Sequence, residues 1–125
     1  MSYHQEFIDS ALRVAAKSTS EIQMGAVLTQ GRKVISSGFN KMNQTHPRYR
    51  RIRSLKNIHA ELACILGIHK NDLKGCEVYV ARVRKSGASA LAAPCEACIT
   101  LLREVGCKKV VFTISDGVIG ETRLY

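Results

Sequence analysis

Two short stretches, well separated along the chain, restrict its fold more than anything else in it: His59-Ala60-Glu61 and Pro94-Cys95-Glu96-Ala97-Cys98. Imidazole and thiol are metal-ligand groups. Cys95 and Cys98 are three apart, so on a helical turn they face the same side and can grip one ion. His59 is a third donor. For all three to meet, the chain must bring the starts of two separate elements to one point.

The surrounding pattern supplies those elements. Residues 3–18 repeat at helical spacing, with Ile8, Leu12 and Ala15 on one face and Phe7, Ala11 and Val14 beside them. Met24 to Thr29 and Val34 to Phe39 read as strands joined by Gln30-Gly31-Arg32, a hairpin ending at Gly38-Phe39-Asn40. Residues 41–57 read as a long polar loop around Pro47. Residues 58–69 return to helical spacing, with Asn57 or Ile58 as N-cap, so that His59 and Glu61 lie in the first turn. Cys76 to Arg82 is a strand, and Ser86 to Ala93 a loop. Pro94 suits the first position of a helix running to Val105 and stopping at Gly106. Lys108 to Ile114 is a Val-rich strand, Asp116-Gly117 a turn, and the last eight residues fit either helix or strand. The order α-β-β-α-β-α-β implies an α/β chain with parallel strands, right-handed crossovers and an antiparallel edge from the hairpin.

At 125 residues, 46% hydrophobic and 23% charged, the chain reads as one domain (1–125) with an aliphatic core, since Trp is absent. No apolar run reaches the roughly 18 residues of a membrane span. The first twenty residues contain Glu6, Asp9 and Arg13 and do not resemble a signal peptide, so a cytoplasmic setting without a membrane partner is expected. Five Cys make an odd count that suits thiols or metal ligation better than disulfides. Cys64, Cys76 and Cys107 read as small buried apolar residues.

The net charge of +9 is unevenly spread. Between Glu21 and Glu61 there is no acid but eight bases: Arg32, Lys33, Lys41, Arg48, Arg50, Arg51, Arg53 and Lys56. A second basic knot, Arg82, Arg84 and Lys85, precedes Pro94. Such asymmetry suggests an anionic partner; the plain alternative is a solvated basic face.

Three protein ligands leave a tetrahedral zinc one open position, the pattern of a catalytic site. A water there becomes acidic enough to act as hydroxide near neutral pH. Glu61, close to a ligand without having to be one, is placed to take that proton, pass it to a ring nitrogen and help protonate a departing amine. Each piece alone has a bland reading: a lone His59 is a satisfied surface residue, and Glu61 complements a helix dipole. The pattern H-x-E followed by P-C-x-x-C is what zinc-dependent base deaminases carry.

His59-Ala60-Glu61 and Pro94 to Cys98, with Gly25-Ala26-Val27 and Gly38-Phe39-Asn40 before them, resemble the cytidine and deoxycytidylate deaminase superfamily over essentially the whole chain. The resemblance implies a three-layer α/β/α sandwich with a mixed sheet and one zinc per chain held by His59, Cys95 and Cys98. It implies hydrolytic loss of an exocyclic amine, with Glu61 as proton shuttle. Asn40 matches a position that contacts the substrate sugar, and Ala60 one whose backbone binds the base. A homo-oligomer is implied as well. His59 in place of Cys, and Ile99-Thr100 in place of Arg-Gln after the second Cys motif, set the chain apart from free-cytidine enzymes.

The basic loops before His59 and before Pro94 favour a phosphate-bearing substrate, because Arg presents a fork that suits phosphate. Arg48, Arg50, Arg51 and Arg53 around Tyr49 are the candidate phosphate ligands. The preferred reading is deamination of cytosine in a free nucleotide or nucleoside. The alternative is a base, cytosine or adenine, within single-stranded DNA or RNA including tRNA, with Tyr49 stacking on it. A non-catalytic zinc or nucleic-acid-binding module is a third reading, which the presence of Glu61 disfavours.

Overall fold

A computed structural model describes residues 3–19, 21–40, 59–65 and 68–124. Helix α1 (Tyr3–Ala15) is followed by strands β1 (Gln23–Gln30) and β2 (Lys33–Phe39), then helices α2 (Ala60–Ala63) and α3 (Lys70–Leu73). Strands β3 (Glu77–Val83) and β4 (Ser89–Ala90), helix α4 (Glu96–Glu104) and strands β5 (Lys109–Ser115) and β6 (Val118–Arg123) complete the order. The sheet runs β2-β1-β3-β5-β6, with β4 paired to β3 off the main path.

The β3–β5 pair is parallel, and β1 is antiparallel to both of its neighbours. Strands β2, β3 and β5 therefore run the same way, but β1 is inserted between β2 and β3. The hairpin does not merely border the sheet; one of its strands is central. Its sequence fits that place, because Gly25 to Thr29 is buried throughout, as a strand covered on both faces must be.

Each face of the sheet carries its own core, so helices cover both sides of the sheet. On one side Phe7, Ile8 and Ala11 of α1 pack on Val27, Tyr79, Ala81 and Val111. The rings of Phe7 and Tyr79 meet at 5.0 Å. On the other side Ala26, Leu28, Val78, Val80 and Val110 meet Ala60 and Leu62 of α2 and Cys98, Leu101 and Leu102 of α4. Cys64, Cys76 and Cys107 are all buried here, as small apolar residues. Two glycines permit the close approach of the helices. A Cβ on Gly25 would run into the backbone of Ala11 and Ala15, and one on Gly38 would lie 2.6 Å from Ala63.

Three expectations need correction. Residues 58–69 are not one helix: among the described residues α2 ends at Ala63, and α3 is separate. His69 is the N-cap of α3, with an extended backbone (φ −63°, ψ 139°) and a ring that accepts from the Asn71 amide. The loop 86–93 contains β4, because Ala90 pairs with Arg82 and Ser89 with Val83. The ambiguous C-terminal residues form β6, turned back on β5 through Gly117, whose φ of 75° suits glycine.

At the opposite end of β3 and β5 from the C-terminal turns, Lys109 lies between Glu77 (3.3 Å) and Glu121 (3.1 Å), with His4 Nε2 at 3.5 Å. Burial acts to lower the Lys109 pKa, but hydrogen bonds to Glu121 and Glu77 outweigh it and hold it raised. The Lys109 hydrogen bond in turn holds Glu121 below the usual carboxylate range. Lys109→Met should therefore destabilise the fold by about 1–3 kcal/mol, the cost of leaving a buried polar group unpaired. A depressed carboxyl stabilises above its unfolded pKa, and this is lost as pH falls through the folded one. The gap between wild type and variant in urea unfolding should thus be wide near pH 7 and close in acid. A gap that does not depend on pH would refute the role given to Glu121.

Candidate metal centre and its surroundings

The two ligand-bearing segments reach the site in the same way, as N-caps of helices. His59 caps α2 with an extended backbone (φ −77°, ψ 151°) and makes no side-chain capping bond, so its ring is not spent on the helix. Cys95 caps α4, also extended (φ −74°, ψ 161°), and its sulfur accepts from the Cys98 amide at 3.4 Å. Pro94 thus stands one residue before the cap rather than at the first helical position, and His59 sits just outside the helical turn that Ala60 begins and that holds Glu61. Both changes have one cause: an N-cap needs extended backbone, and these residues supply it.

His59 Nδ1 lies 3.7 Å from Cys95 Sγ and 3.3 Å from Cys98 Sγ. All three donor atoms lie within 4.8 Å of one another. Zinc bonds of about 2.3 Å to sulfur and about 2.0 Å to nitrogen at a tetrahedral angle give a sulfur–nitrogen edge of about 3.5 Å. The observed pair of distances brackets that value, so the residues fit a zinc ion. No other set of three such donors forms a comparable cluster among the described residues.

Electrostatics agree with this donor set. Burial lowers the His59 pKa, keeping the ring neutral and able to bind metal. Burial, reinforced by the charges of Glu61 and Cys95, pushes the Cys98 thiol well up. Zinc capture must therefore release the Cys98 proton. The floor of the site is closed: Cys98 and Ala60 are fully buried and Glu61 is only 2% exposed. Among the described residues its rim is open, since Cys95 is exposed and His59 half-buried. Burial raises the Glu61 pKa, partly offset by hydrogen bonds from its own backbone and from Cys98. A carboxyl whose burial favours its protonated form, beside a metal site, is a candidate proton carrier.

A family model, the cytidine and deoxycytidylate deaminase zinc-binding region, matches residues 1–114. The chain belongs to this family. An uncharacterized deaminase in the luxG 3′ region of Aliivibrio fischeri is 32% identical over 93 residues, 70% of this chain and 56% of that relative. The chain thus spans little more than half of the relative's length. Among solved structures, cytidine deaminase from Burkholderia pseudomallei superposes with a TM-score of 0.71 at 22% identity, covering 99% of this chain and 94% of that one. The dCMP deaminase of cyanophage S-TIM5 gives 0.65 at 17% identity, covering 89% and 82%. At these identities the superpositions speak for the fold, the α/β/α sandwich with a mixed sheet. Membership in the deaminase family and the three donors together make zinc the cofactor.

Of the other residues singled out in the sequence, Asn40 uses its side chain to close the hairpin. Its Nδ2 donates to Ile22 O at 2.7 Å and its Oδ1 accepts from Met24 N at 3.0 Å. Arg48, Tyr49, Arg50, Arg51 and Arg53 lie outside the described residues, as do Asn57 and Ile58.

Sequence reasoning missed the residues that hold the Cys95 segment in place. The buried Thr113 hydroxyl donates to Ala90 O at 2.6 Å and accepts from Arg82 N, while its carbonyl accepts from Ala92 N. Asp116 accepts from both the amide (2.6 Å) and the hydroxyl (2.9 Å) of Ser89. The only sequence signal was Asp116 in a turn, which carries no hint of a distant partner.

Proposed function

We propose that this chain removes the exocyclic amine of cytosine by hydrolysis, in a free nucleotide or nucleoside. The observation that carries the reading is a nearly inaccessible carboxyl, Glu61, beside three metal donors whose rim is open to solvent. A zinc ion held by His59, Cys95 and Cys98 supplies a lowered pKa to a water and so a nucleophile at neutral pH.

The chain's own groups do the rest. The Glu61 carboxylate takes the proton of the attacking water and hands it to the ring nitrogen. The carbon bearing the amine gains the oxygen; that oxygen's remaining proton passes through Glu61 to the amine, the carbon–nitrogen bond breaks, and ammonia leaves a carbonyl behind. The fully buried Ala60, between ligand and shuttle, is proposed to meet the base through its backbone, and Asn40, its side chain fixed by its bonds to Ile22 and Met24, to border the sugar. Family membership supports cytosine as the base, and the charge of the chain supports an anionic substrate.

The test is ammonia release by the zinc-loaded protein from cytidine, deoxycytidine, their monophosphates, guanine, a single-stranded oligonucleotide and tRNA. The largest kcat/KM is expected with a cytosine monophosphate. Turnover confined to guanine, or to the polynucleotides, would sink the proposal.

A further inference from the structure

A cavity of about 440 Å³ opens between the chain entering β1 and the chain leaving β3, lined by Glu21, Ile22 and residues 82–85. It belongs to the same end of the sheet as the metal centre. Gln23 pairs with Val83 and Gly25 with Phe39, so the start of β1 lies beside the ends of β2 and β3. Asn40 is bonded to Ile22 in the cavity wall. Ala90, paired with Arg82, leads within a few residues to Cys95.

Strand alternation fixes the direction of Arg82. Val78 and Val80 face the core that contains Ala60 and Cys98, so Arg82, two residues on, projects to that face. Its cross-strand partner Met24 packs against the same core. Arg84 and Lys85 are held by a turn in which Arg84 N donates to Ala88 O and Gly87 N to Arg84 O, each at 2.8 Å. Gly87, at φ 92°, lets that turn close. Among the described residues, Arg82, Arg84 and Lys85 make no ion pair. Among the described residues Glu21 is the single acid in the wall, so their side chains sum to +2 (three bases less one acid).

We propose that this cleft is the phosphate subsite of the substrate: Arg82, Arg84 and Lys85 hold the terminal phosphate of a cytosine nucleotide whose base lies over the metal centre. The proposal rests on the deaminase reading above and builds a phosphate site from described residues alone. The cavity is of ordinary ligand size. Cations carried by a strand end and a backbone-bonded turn converge on one cleft, and guanidinium binds an oxyanion through paired N–H donors.

The test compares wild type with the double variant Arg84→Ser, Lys85→Ser and with Arg82→Gln, all zinc-loaded. Each is expected to raise KM for deoxycytidylate at least about tenfold more than KM for deoxycytidine, the effect of losing one charge-assisted hydrogen bond. Inorganic phosphate should inhibit the wild type competitively and the variants far less. Equal changes for nucleotide and nucleoside would overturn the proposal. So would activity on an oligonucleotide that falls in the variants while deoxycytidylate is ignored by the wild type. If no cytosine compound is turned over at all, the deaminase reading fails. The cleft is then judged by calorimetry of inorganic phosphate and deoxycytidylate, where binding equal in wild type and variants, an adventitious ion only, refutes it.

Discussion

Glu61→Gln is expected to abolish turnover while the purified protein keeps its zinc. The amide has the size of the carboxyl and sits at a position only 2% exposed, so packing is preserved. It has no proton to lend or accept at neutral pH. Proton transfer by one positioned group contributes about 10²–10⁴-fold. Both hand-offs pass through Glu61 in the proposed reaction, so the loss belongs at the upper end, about 10⁴-fold in kcat. The stability of the zinc-free protein should move the other way. Burial raises the Glu61 pKa, so native Glu61 stabilises only at low pH and this is lost as pH rises through the folded pKa. Gln carries no such slope, and the variant should gain on the wild type as the pH climbs. Metal analysis, ammonia release and melting curves across pH read all three. A variant that retains activity would remove Glu61 from the mechanism.

Gly38→Val is expected to remove zinc and stability together, although residue 38 is not a ligand. A side chain there would place its Cβ 2.6 Å from the Ala63 carbonyl carbon and Cβ and from the Cys64 amide nitrogen. These are mostly backbone atoms of α2 and the turn that follows it, so no rotamer relieves the clash. The helix must lift away from β2, taking His59 and Glu61 with it. Overpacking costs about 1–3 kcal/mol, and occasionally more where backbone must move. Because the cysteines ride on α4, the two halves of the donor set would separate, and zinc affinity should fall by more than the roughly 10–100-fold seen when only a supporting contact is lost. Titration with a zinc indicator and urea unfolding of the zinc-free protein measure the two effects. Wild-type zinc affinity in a folded variant would show that α2 does not rest on Gly38.

What the sequence made legible was local chemistry. His59, Glu61, Cys95 and Cys98 announced themselves by spacing, and the hairpin by its turn. The apolar stripe of α1 reads straight into burial at Phe7, Ile8, Ala11 and Ala15. What stayed hidden depends on partners distant along the chain. Nothing near Gln23 says that β1 will stand between β2 and β3, since its pairing with β3 is decided by Val27 and Leu28 meeting Tyr79 and Val78. The separate start of α3 is marked by one imidazole–amide bond at His69, which no periodicity announces. Gly38 and Gly25 were visible as glycines within strands, a sign of close backbone approach. Which helix approaches each was not.

The tie between Asp116 and Ser89 bears on how this molecule can be handled. The turn at Asp116-Gly117 is exposed and tight, the sort of place where a tag or a reporter domain is usually spliced in. Yet its aspartate is one of the anchors of the strand stub that leads to Cys95, so exposure is a poor guide to tolerance there. Choosing a splice point is therefore a matter of which chain ends a turn is holding rather than how much water it sees.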